Sequence, residues 1–471
     1  MTRRVSRRRA LAAAGYLLTG PAFSVTRAAG ANDRLRVAGV GIGGKGQSDI
    51  EQAGREMEVV AICDIDDQRL DQRAQTYPRA AKFFDYRTLF DRAAATFDAV
   101  VVSTADHHHA PAAMLAMRQR KHVYCQKPLT HTVEEARLLR EAAARYKVCT
   151  QMGNQGSALN GLRRAVELVR GGVIGTVAEA HVWTNRPAQY WKQAPDITAR
   201  PTEAPVPKHV HWDEWIGPAR MRPYAVAFAP RPAYHPHDWR GFWEFGTGAL
   251  GDMACHTANM PFRALNLDAP ESVVAQAGEI NPETFPAWGH IQYKFPARNS
   301  QPAVTLHWYE GKRGTTKVLP PAELVAKVLR PGEQLTDSGS LLVGDKGILF
   351  SPSDYGNRWR IVPDALAMGR QLERPETLPA GAATDQGGAH DAYQKKEWAD
   401  AIRAGRPEMA FSNFDYAGRL TEAMLLGNIA VRFAGTELRW DAAKLLFSNN
   451  EAASRLVKKE YRAGWDVVRG M

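Results

Sequence analysis

An acid and an imidazole one helical turn apart are the residues of this sequence that most directly suggest shared chemistry. Asp252 and His256 stand four positions apart in "GTGALGDMACHTAN" (residues 246–259), behind a run of small residues. In a helix, side chains at this spacing share one face. The pair alone fits half of a metal site, a catalytic pair, or a capping acid beside a core histidine. The rest of the chain has to distinguish these interpretations.

A glycine-rich loop is the second candidate for chemistry. "GVGIGGKG" directly follows an apolar, strand-like run and opens a helix-compatible stretch, and its G-x-G-x-x-G frame consists of Gly41, Gly43 and Gly46, with Gly44 inside it. Such a loop lets the backbone approach a pyrophosphate at a helix N-terminus. Asp64 ends the next strand, 23 residues after Gly41, where a carboxylate can bind ribose hydroxyls. The pattern predicts a dinucleotide site, and Asp64 favours NAD over NADP, because a 2′-phosphate would meet a like charge.

Two further strand ends carry polar residues. "STADHHHA" contains Thr104 and the run His107–His109, and "CQKPLTHT" contains Gln126 and Lys127. The carboxyl ends of parallel strands border one crevice, so these residues are expected near the cofactor. Consecutive side chains diverge, so the histidine run predicts no metal site. His109 is instead expected to contact the cofactor or to start a helix.

The elements that position these residues alternate between strand and helix. "RLRVAGVG", "MEVVAICDID", "FDAVVVST" and "KHVYCQKP" are apolar runs separated by helix-like segments, which predicts a doubly wound parallel sheet. Later segments such as "TVAEAHVWTNRP" and "AVTLHWYEG" are β-rich and indicate a mostly antiparallel sheet. We therefore predict an α/β protein with a Rossmann domain over residues 32–153, a substrate-binding and oligomerisation domain over 154–440, and a C-terminal tail over 441–471.

The first 31 residues differ in composition from the rest. They hold six arginines and no acid, and without them the net charge of +11 becomes +5. "SRRRALAAAGYLL" resembles a twin-arginine export signal, with small residues for cleavage near residues 29–31. The expectation is a periplasmic or otherwise exported protein with no integral membrane segment after signal removal; the alternative is a basic tail. No basic stripe interleaved with aromatics points to nucleic acid, and the four cysteines lack paired spacing, which favours buried thiols over disulfides.

These motifs, in this order, resemble the Gfo/Idh/MocA family of NAD(P)-dependent sugar and polyol oxidoreductases, from about Arg34 to about Gly435. The resemblance implies a Rossmann domain followed by an α/β domain whose open sheet bounds the substrate site and often forms a dimer or tetramer. It also implies that Lys127 is catalytic and that Asp252 and His256 lie over the nicotinamide. One departure is Gln126, which stands where the family carries a glutamate and gives Lys127 no ion-pair partner.

Together the residues and the resemblance predict a set of roles. His256 is expected to be the general acid/base, Lys127 to stabilise a developing alkoxide, and Asp252 to orient His256 or bind a substrate hydroxyl. The predicted substrate contacts are Arg186, Tyr234, Trp239 and Arg240. No metal is predicted in the site. The predicted cofactor contacts are Gly41, Gly43, Gly44, Gly46, Asp64, Thr104, His109, Gln126 and Lys127.

Three functions remain open from sequence. The first is an exported oxidoreductase that transfers a hydride between tightly bound NAD and a sugar, with the cofactor carried out of the cytoplasm inside the folded protein. The second is a glycosidase or lyase that oxidises a ring carbon, eliminates the glycosidic group and reduces the product again. The third is a catalytically silent sugar-binding protein.

Overall fold

Six parallel strands form the first sheet of the computed structural model, which describes residues 34–186, 190–228, 231–298, 301–369, 375, 377 and 389–469. The strand order is β3-β2-β1-β4-β5-β6, the arrangement of a dinucleotide-binding doubly wound sheet. Its strands are β1 (Arg36–Val40), β2 (Glu58–Cys63), β3 (Ala81–Phe83), β4 (Ala99–Val102), β5 (His122–Cys125) and β6 (Thr150–Met152).

Five helices connect these strands: α1 (Lys45–Glu56), α2 (Asp67–Thr76), α3 (Tyr86–Ala93), α4 (Asp106–Arg118) and α5 (Val133–Tyr146). Thr132 begins α5 with a reciprocal capping box to Glu135. Helix α4 begins at Asp106, so the histidine run lies in its first turn, and all three histidines are buried. The histidines therefore belong to a helix start, one of the two roles expected for them.

The second sheet has ten strands, with β17-β16-β15-β7-β13-β12-β11-β18-β19 as its main path and β14 paired to β13. All its neighbours are antiparallel except β7 and β13, which run parallel in the middle of the sheet. The α/β fold with a large, mostly antiparallel sheet is thus confirmed. A separate three-stranded sheet joins β8, β9 and β10. The strands are β7 (Val177–Thr184), β8 (Thr202–Glu203), β9 (Ala225–Phe228), β10 (Arg231–Pro232), β11 (Ser272–Ala277), β12 (Trp288–Phe295), β13 (Val304–Arg313), β14 (Thr316–Lys317), β15 (Gly339–Gly344), β16 (Ile348–Ser351), β17 (Arg360–Val362), β18 (Leu438–Asp441) and β19 (Leu446–Phe447).

The later helices tie the two sheets together. They are α6 (Asn160–Arg170), α7 (Trp212–Ile216), α8 (Gly248–Thr257), α9 (Asn259–Ala264), α10 (Ala322–Ala326), α11 (Ala389–Ala404), α12 (Phe414–Val431) and α13 (Glu451–Arg455). Short 3₁₀ turns cover Ala94–Thr96, Gln155–Ala158, Asp238–Gly241, Asp364–Ala367 and Pro407–Met409. Helix α12 packs against α5 and α11 packs against α1, so one apolar core runs through both sheets.

Three further expectations concern the chain as a whole. All four cysteines are buried free thiols, as expected. Within the described ranges, no helix is both long and apolar enough to cross a bilayer. The proposed export signal over residues 1–31 lies outside the described residues, so export stays a prediction.

Candidate active site

A cleft of about 520 Å³ opens where the carboxyl ends of the parallel strands face the second domain. Its floor comes from the ends of β1, β2, β4 and β5, and its opposite wall comes from α8 and the loops around it. This is the position at which ligands bind in open parallel sheets. The residues predicted from sequence that line it are Gly41, Gly43, Gly44, Asp64, Thr104, Gln126, Lys127, Arg186, Trp239, Arg240, Asp252 and His256.

The glycine loop has the shape that a dinucleotide requires. Gly41 has a φ of +74°, and a Cβ there would lie 2.7 Å from the Ser103 carbonyl oxygen. Gly44 has a φ of +54° with open space beyond it, and it directly precedes α1, whose first turn carries no acid. An anion can therefore approach the free amides at this helix N-terminus. Gly46 lies outside the cleft lining; a Cβ there would lie 1.8 Å from the Gly41 carbonyl oxygen, so its role is to let α1 pack against the loop.

Asp64 lies at the end of β2 with its carboxylate turned toward this loop. One oxygen accepts hydrogen bonds from the backbone amides of Ile42 (2.8 Å) and Gly43 (3.2 Å), and the other accepts one from Asp66 (3.1 Å). Burial raises the pKa of Asp64, against these hydrogen bonds and the charge of Arg69. The carboxylate thus holds the loop in place while it lines the adenosine end of the cleft.

Helix α8 brings Asp252 and His256 to the cleft wall together. Lys127 reaches across from the end of β5 and donates to one oxygen of Asp252 at 2.5 Å. Arg186 Nη1 lies 3.3 Å from the other oxygen, Oδ2. Arg240 Nε lies 3.3 Å from Oδ1, the oxygen that Lys127 contacts. Burial alone would raise the pKa of Asp252, but the charges of Lys127, Arg240 and Arg186 outweigh it and hold that pKa far below its usual range. The acid is therefore ionised and serves as the anchor of three cations.

His256 is the neutral member of this wall. Burial, followed by the positive charge of Lys127, lowers its pKa well below the ordinary value. Its buried Nδ1 has no hydrogen-bond partner among the described residues, and its ring meets the Tyr355 ring edge-on at 5.0 Å between centroids. Asp252 is held by cations rather than by His256, so the predicted orienting role for Asp252 is not what the structure shows. A neutral imidazole that lines the cleft can accept a proton from a bound hydroxyl.

Gln126 is hydrogen-bonded to a second cluster of charged side chains. Its Nε2 donates to Asp49 on α1 at 2.8 Å. Asp49 also accepts from Lys395 at 2.6 Å and from Lys45 at 2.8 Å, and both lysines pair with Asp391. We call Lys45, Asp49, Asp391 and Lys395 the balanced quartet, because its two positive and two negative charges compensate each other. The glutamine therefore belongs to a network that joins β5, α1 and α11.

Besides Gly46, two predicted site residues lie outside the cleft lining. Tyr234 is 1% exposed and packs among Trp212, Trp215, Phe242 and Phe245, so we assign it to the core instead of the substrate site. The ring nitrogens of buried His109 lie 2.7 Å and 3.1 Å from the carbonyl oxygens of Pro128 and Thr104. His109 therefore joins the two strand-end turns and is not exposed to the cofactor.

The cleft also contains residues that the sequence analysis did not single out, among them Gln155, Tyr355 and Trp465. Gln155 donates to the Tyr355 hydroxyl at 3.2 Å, and the Tyr355 ring lies against His256. Trp465 reaches the cleft from the segment predicted to be a tail, which is anchored by the 2.5 Å hydrogen bond from Tyr461 to Glu135. None of the three lies in a recognisable motif. For Trp465, the available signal was a C-terminal segment that contains aromatic and charged residues.

The fold and the cleft define a Rossmann-type oxidoreductase with an α/β second domain. Residues 34–154 match the oxidoreductase family with an NAD-binding Rossmann fold, and residues 161–300 match the C-terminal alpha/beta domain of the same family. These two regions together make up more than half of the chain. The chain therefore belongs to the Gfo/Idh/MocA oxidoreductase family.

Curated relatives match the sequence of this chain over about a third of its length. A glycosyl hydrolase family 109 protein of Shewanella pealeana is 31% identical over 155 residues, which is 30% of this chain and 33% of the relative. Inositol 2-dehydrogenase 3 of Saccharopolyspora erythraea is 33% identical over 156 residues, 31% of this chain and 44% of the relative. The matches thus span less than half the length of these relatives.

Solved structures show the same fold over most of the chain. The aldose-aldose oxidoreductase from Caulobacter crescentus, complexed with glycerol, has a TM-score of 0.56 at 15% identity and covers 87% of this chain and 100% of its own. The WlbA dehydrogenase from Bordetella pertussis, in complex with NADH and UDP-GlcNAcA, has a TM-score of 0.59 at 15% identity, with 87% and 99% covered. At such identities the likeness describes the fold alone.

Proposed function

We propose that this chain is an NAD-dependent oxidoreductase that acts on a CH–OH group of a carbohydrate. The observation that carries the proposal is the meeting of Lys127, from the end of β5, with Asp252 on α8, beside His256 on the same cleft wall. Oxidation of a carbinol needs a proton acceptor and a charge that stabilises the developing alkoxide. His256 supplies the first and Lys127 the second, while Asp252 fixes the lysine. When bound, the nicotinamide accepts or returns the hydride.

We propose that the cofactor is NAD, with NADP less favoured. Asp64 places a negative charge beside the adenosine ribose, which opposes a 2′-phosphate. Arg69 lies at the same end, where a Cβ on Gly43 would come 2.4 Å from its side chain, and its guanidinium could attract a phosphate. Asp64→Ala should therefore weaken NAD binding and reduce the preference for it, whereas Arg69→Ala should weaken NADP binding more than NAD binding. An unchanged NAD/NADP ratio in both variants would contradict this assignment.

A glycosidase is the second candidate, and the family 109 glycosyl hydrolase relatives favour it. The same side chains suffice, because oxidation of a ring carbon to a ketone acidifies the neighbouring C–H and permits elimination of the glycosidic group. Water then adds where the glycosidic group left, and the hydride taken up in the first step reduces the ketone again, so no net redox change occurs and a tightly held cofactor is an advantage. Release of nitrophenol from an aryl glycoside, without added NAD, distinguishes this reaction from net dehydrogenation.

One experiment tests these alternatives together. The purified protein is denatured and the released nucleotide identified, and the native protein is screened against sugars for a redox change of that nucleotide. NAD reduction by a sugar supports the dehydrogenase, and aglycone release supports the glycosidase. Sugar binding with neither response would indicate the catalytically silent binding protein.

We also propose that the protein is exported by the twin-arginine route and forms a homo-oligomer. The arginine pair in "SRRRAL" supports export, and a folded protein can carry a tightly bound cofactor with it. Replacement of Arg7 and Arg8 by lysine should retain the protein in the cytoplasm. Normal export of that variant would overturn the assignment, and light scattering of the purified protein measures its oligomeric state.

A further inference from the structure

Three side chains of the kind that bind metals converge on the large sheet, away from the cleft. Glu179 and His181 are two residues apart on β7, so their side chains leave the same face of the strand. His307 on β13 is the direct register partner of His181 across the parallel pair. None of the three is a cleft-lining residue. Because all three are carried by central strands, the backbone holds them at fixed spacing.

Two of the three distances between their ligand atoms match those of a zinc site. Glu179 Oε1 lies 3.2 Å from His181 Nε2 and 3.4 Å from His307 Nε2. Ligands about 2.0–2.1 Å from a tetrahedral zinc ion are about 3.4 Å apart. All three atoms lie within 4.8 Å of one another, so the edge between the two histidines is the longest. The imidazoles are stacked, with 4.8 Å between ring centroids and 7° between ring planes.

One ring nitrogen of His181 is available to bind an ion. His181 is 1% exposed, and its Nε2 has no hydrogen-bond partner among the described residues, although Glu179 lies within ion-pair distance. A buried ring nitrogen without a partner is unfavourable and calls for a further ligand or ion. A cation between this nitrogen and the carboxylate would satisfy both.

The second nitrogen of each ring is already engaged. His181 Nδ1 lies 2.9 Å from the Tyr309 hydroxyl, and His307 Nδ1 lies 3.2 Å from His290 Nε2. Ligating histidines usually donate their other N–H to such a partner, which directs the free nitrogen toward the metal.

We propose that Glu179, His181 and His307 bind a divalent ion of the zinc class, with water in the fourth position. Two imidazoles and one carboxylate are a donor set that suits this class of ion. The Glu179 side chain is about half exposed, which gives the ion a route from solvent. A bound ion would join the parallel strands β7 and β13, and β7 leads directly to Arg186 on the cleft wall.

The test uses full-length protein stripped with EDTA and then dialysed free of chelator. Isothermal titration with Zn²⁺ should show one ion per chain, and Co²⁺ should give the visible absorption of a four-coordinate site. Glu179→Gln and His307→Asn should each remove both signals, and Tyr309→Phe should weaken binding about 10–100-fold, as loss of a partner to a ligating histidine does. His209→Asn, which removes an imidazole elsewhere, should leave them unchanged.

Folding of the variants is checked by circular dichroism and by thermal melting without metal. Glu179→Gln is nearly isosteric at a half-exposed position, so it keeps the test valid if a histidine variant misfolds. No saturable binding to the folded wild type, or equal binding to wild type and Glu179→Gln, would overturn the proposal.

Discussion

Two clusters of charged side chains border the cleft, and the balance of their charges differs. In the balanced quartet, the side chains of Lys395 and Asp49 are fully buried and each charge has an opposite partner. Around Asp252, three cations share one acid, and among the described residues only Arg240 forms an ion pair with a second acid, Asp106 at 3.0 Å. The Arg186 side chain keeps 19% of its surface exposed toward the cleft.

This difference separates a structural role from a functional one. A cluster whose charges compensate each other has no net charge to offer a ligand, so it mainly fixes elements relative to each other, although its Lys45 side chain is 39% exposed and lines the cleft. An excess of positive charge on a cleft wall, beside a neutral histidine, can stabilise negative charge that develops on a substrate. Substitutions on the cleft wall around Asp252 and His256 should therefore mainly reduce turnover. Substitutions in the quartet should mainly reduce stability.

The largest expected effect is on turnover. His256→Ala removes the proton acceptor but leaves the glycine loop and the quartet intact, so turnover should fall about 10²–10⁴-fold, the usual range for a general acid/base. Single-turnover reduction of the bound nucleotide by a substrate sugar measures the loss, and nucleotide content and melting temperature serve as controls. A rate equal to wild type in the folded variant would end the catalytic assignment.

The second effect is on stability. Lys395→Met leaves Asp49 and Asp391 with Lys45 as their remaining lysine partner in a buried site, and breaking a buried pair in this way costs about 3–5 kcal/mol. Urea unfolding should show this loss, whereas Arg455→Met, which breaks a fully exposed pair with Glu451, should leave stability nearly unchanged. Equal losses in the two variants would mean that the quartet does not have the structural role we assign to it.

The contrast between these clusters was only partly visible in the sequence. The Rossmann strands, the glycine loop and the α8 pair are local patterns, since a strand, a turn and a helix start are encoded in consecutive residues. The same holds for Lys127, because it directly follows a buried strand. These features were predictable, and the fold and family that follow from them are confirmed.

Long-range partnerships were not predictable from one sequence. In the sequence, Asp49 resembles an acid on the surface of a helix. Its ion-pair partner Lys395 lies 346 residues further along the chain. Tyr234 lies in an aromatic segment beside Trp239, yet only Trp239 lines the cleft, because local sequence does not specify which rings face the core. His181 and His307 become neighbours only through the parallel register of β7 and β13. In each case the deciding contact joins residues far apart in the chain.

The third effect tests whether Gln126 belongs to the quartet. Gln126→Glu places a second carboxyl against Asp49, and keeping one of the two protonated at pH 7 costs up to about 3 kcal/mol. Stability should therefore fall at pH 7 and recover in part at pH 5. Adding Asp49→Asn to this variant restores one acid and one amide, so the double variant should be more stable than the sum of the two single changes predicts. Additive losses would show that the two side chains act independently.

The smallest effect is the acid sensitivity of the quartet itself. Burial would raise the pKa of Asp391, but Lys395 and Lys45 outweigh it and lower that pKa to about 2. A carboxyl whose pKa is lower in the folded state than in the unfolded state stabilises the fold above its unfolded pKa and loses that contribution as the pH falls. Asp391 should therefore contribute about 2 kcal/mol at pH 7, and the contribution should disappear between about pH 5 and pH 2. Urea unfolding of wild type and Asp391→Asn across this range measures it: the gap between them should narrow as the pH falls, and a constant gap would mean that Asp391 stabilises the fold by packing and not by charge.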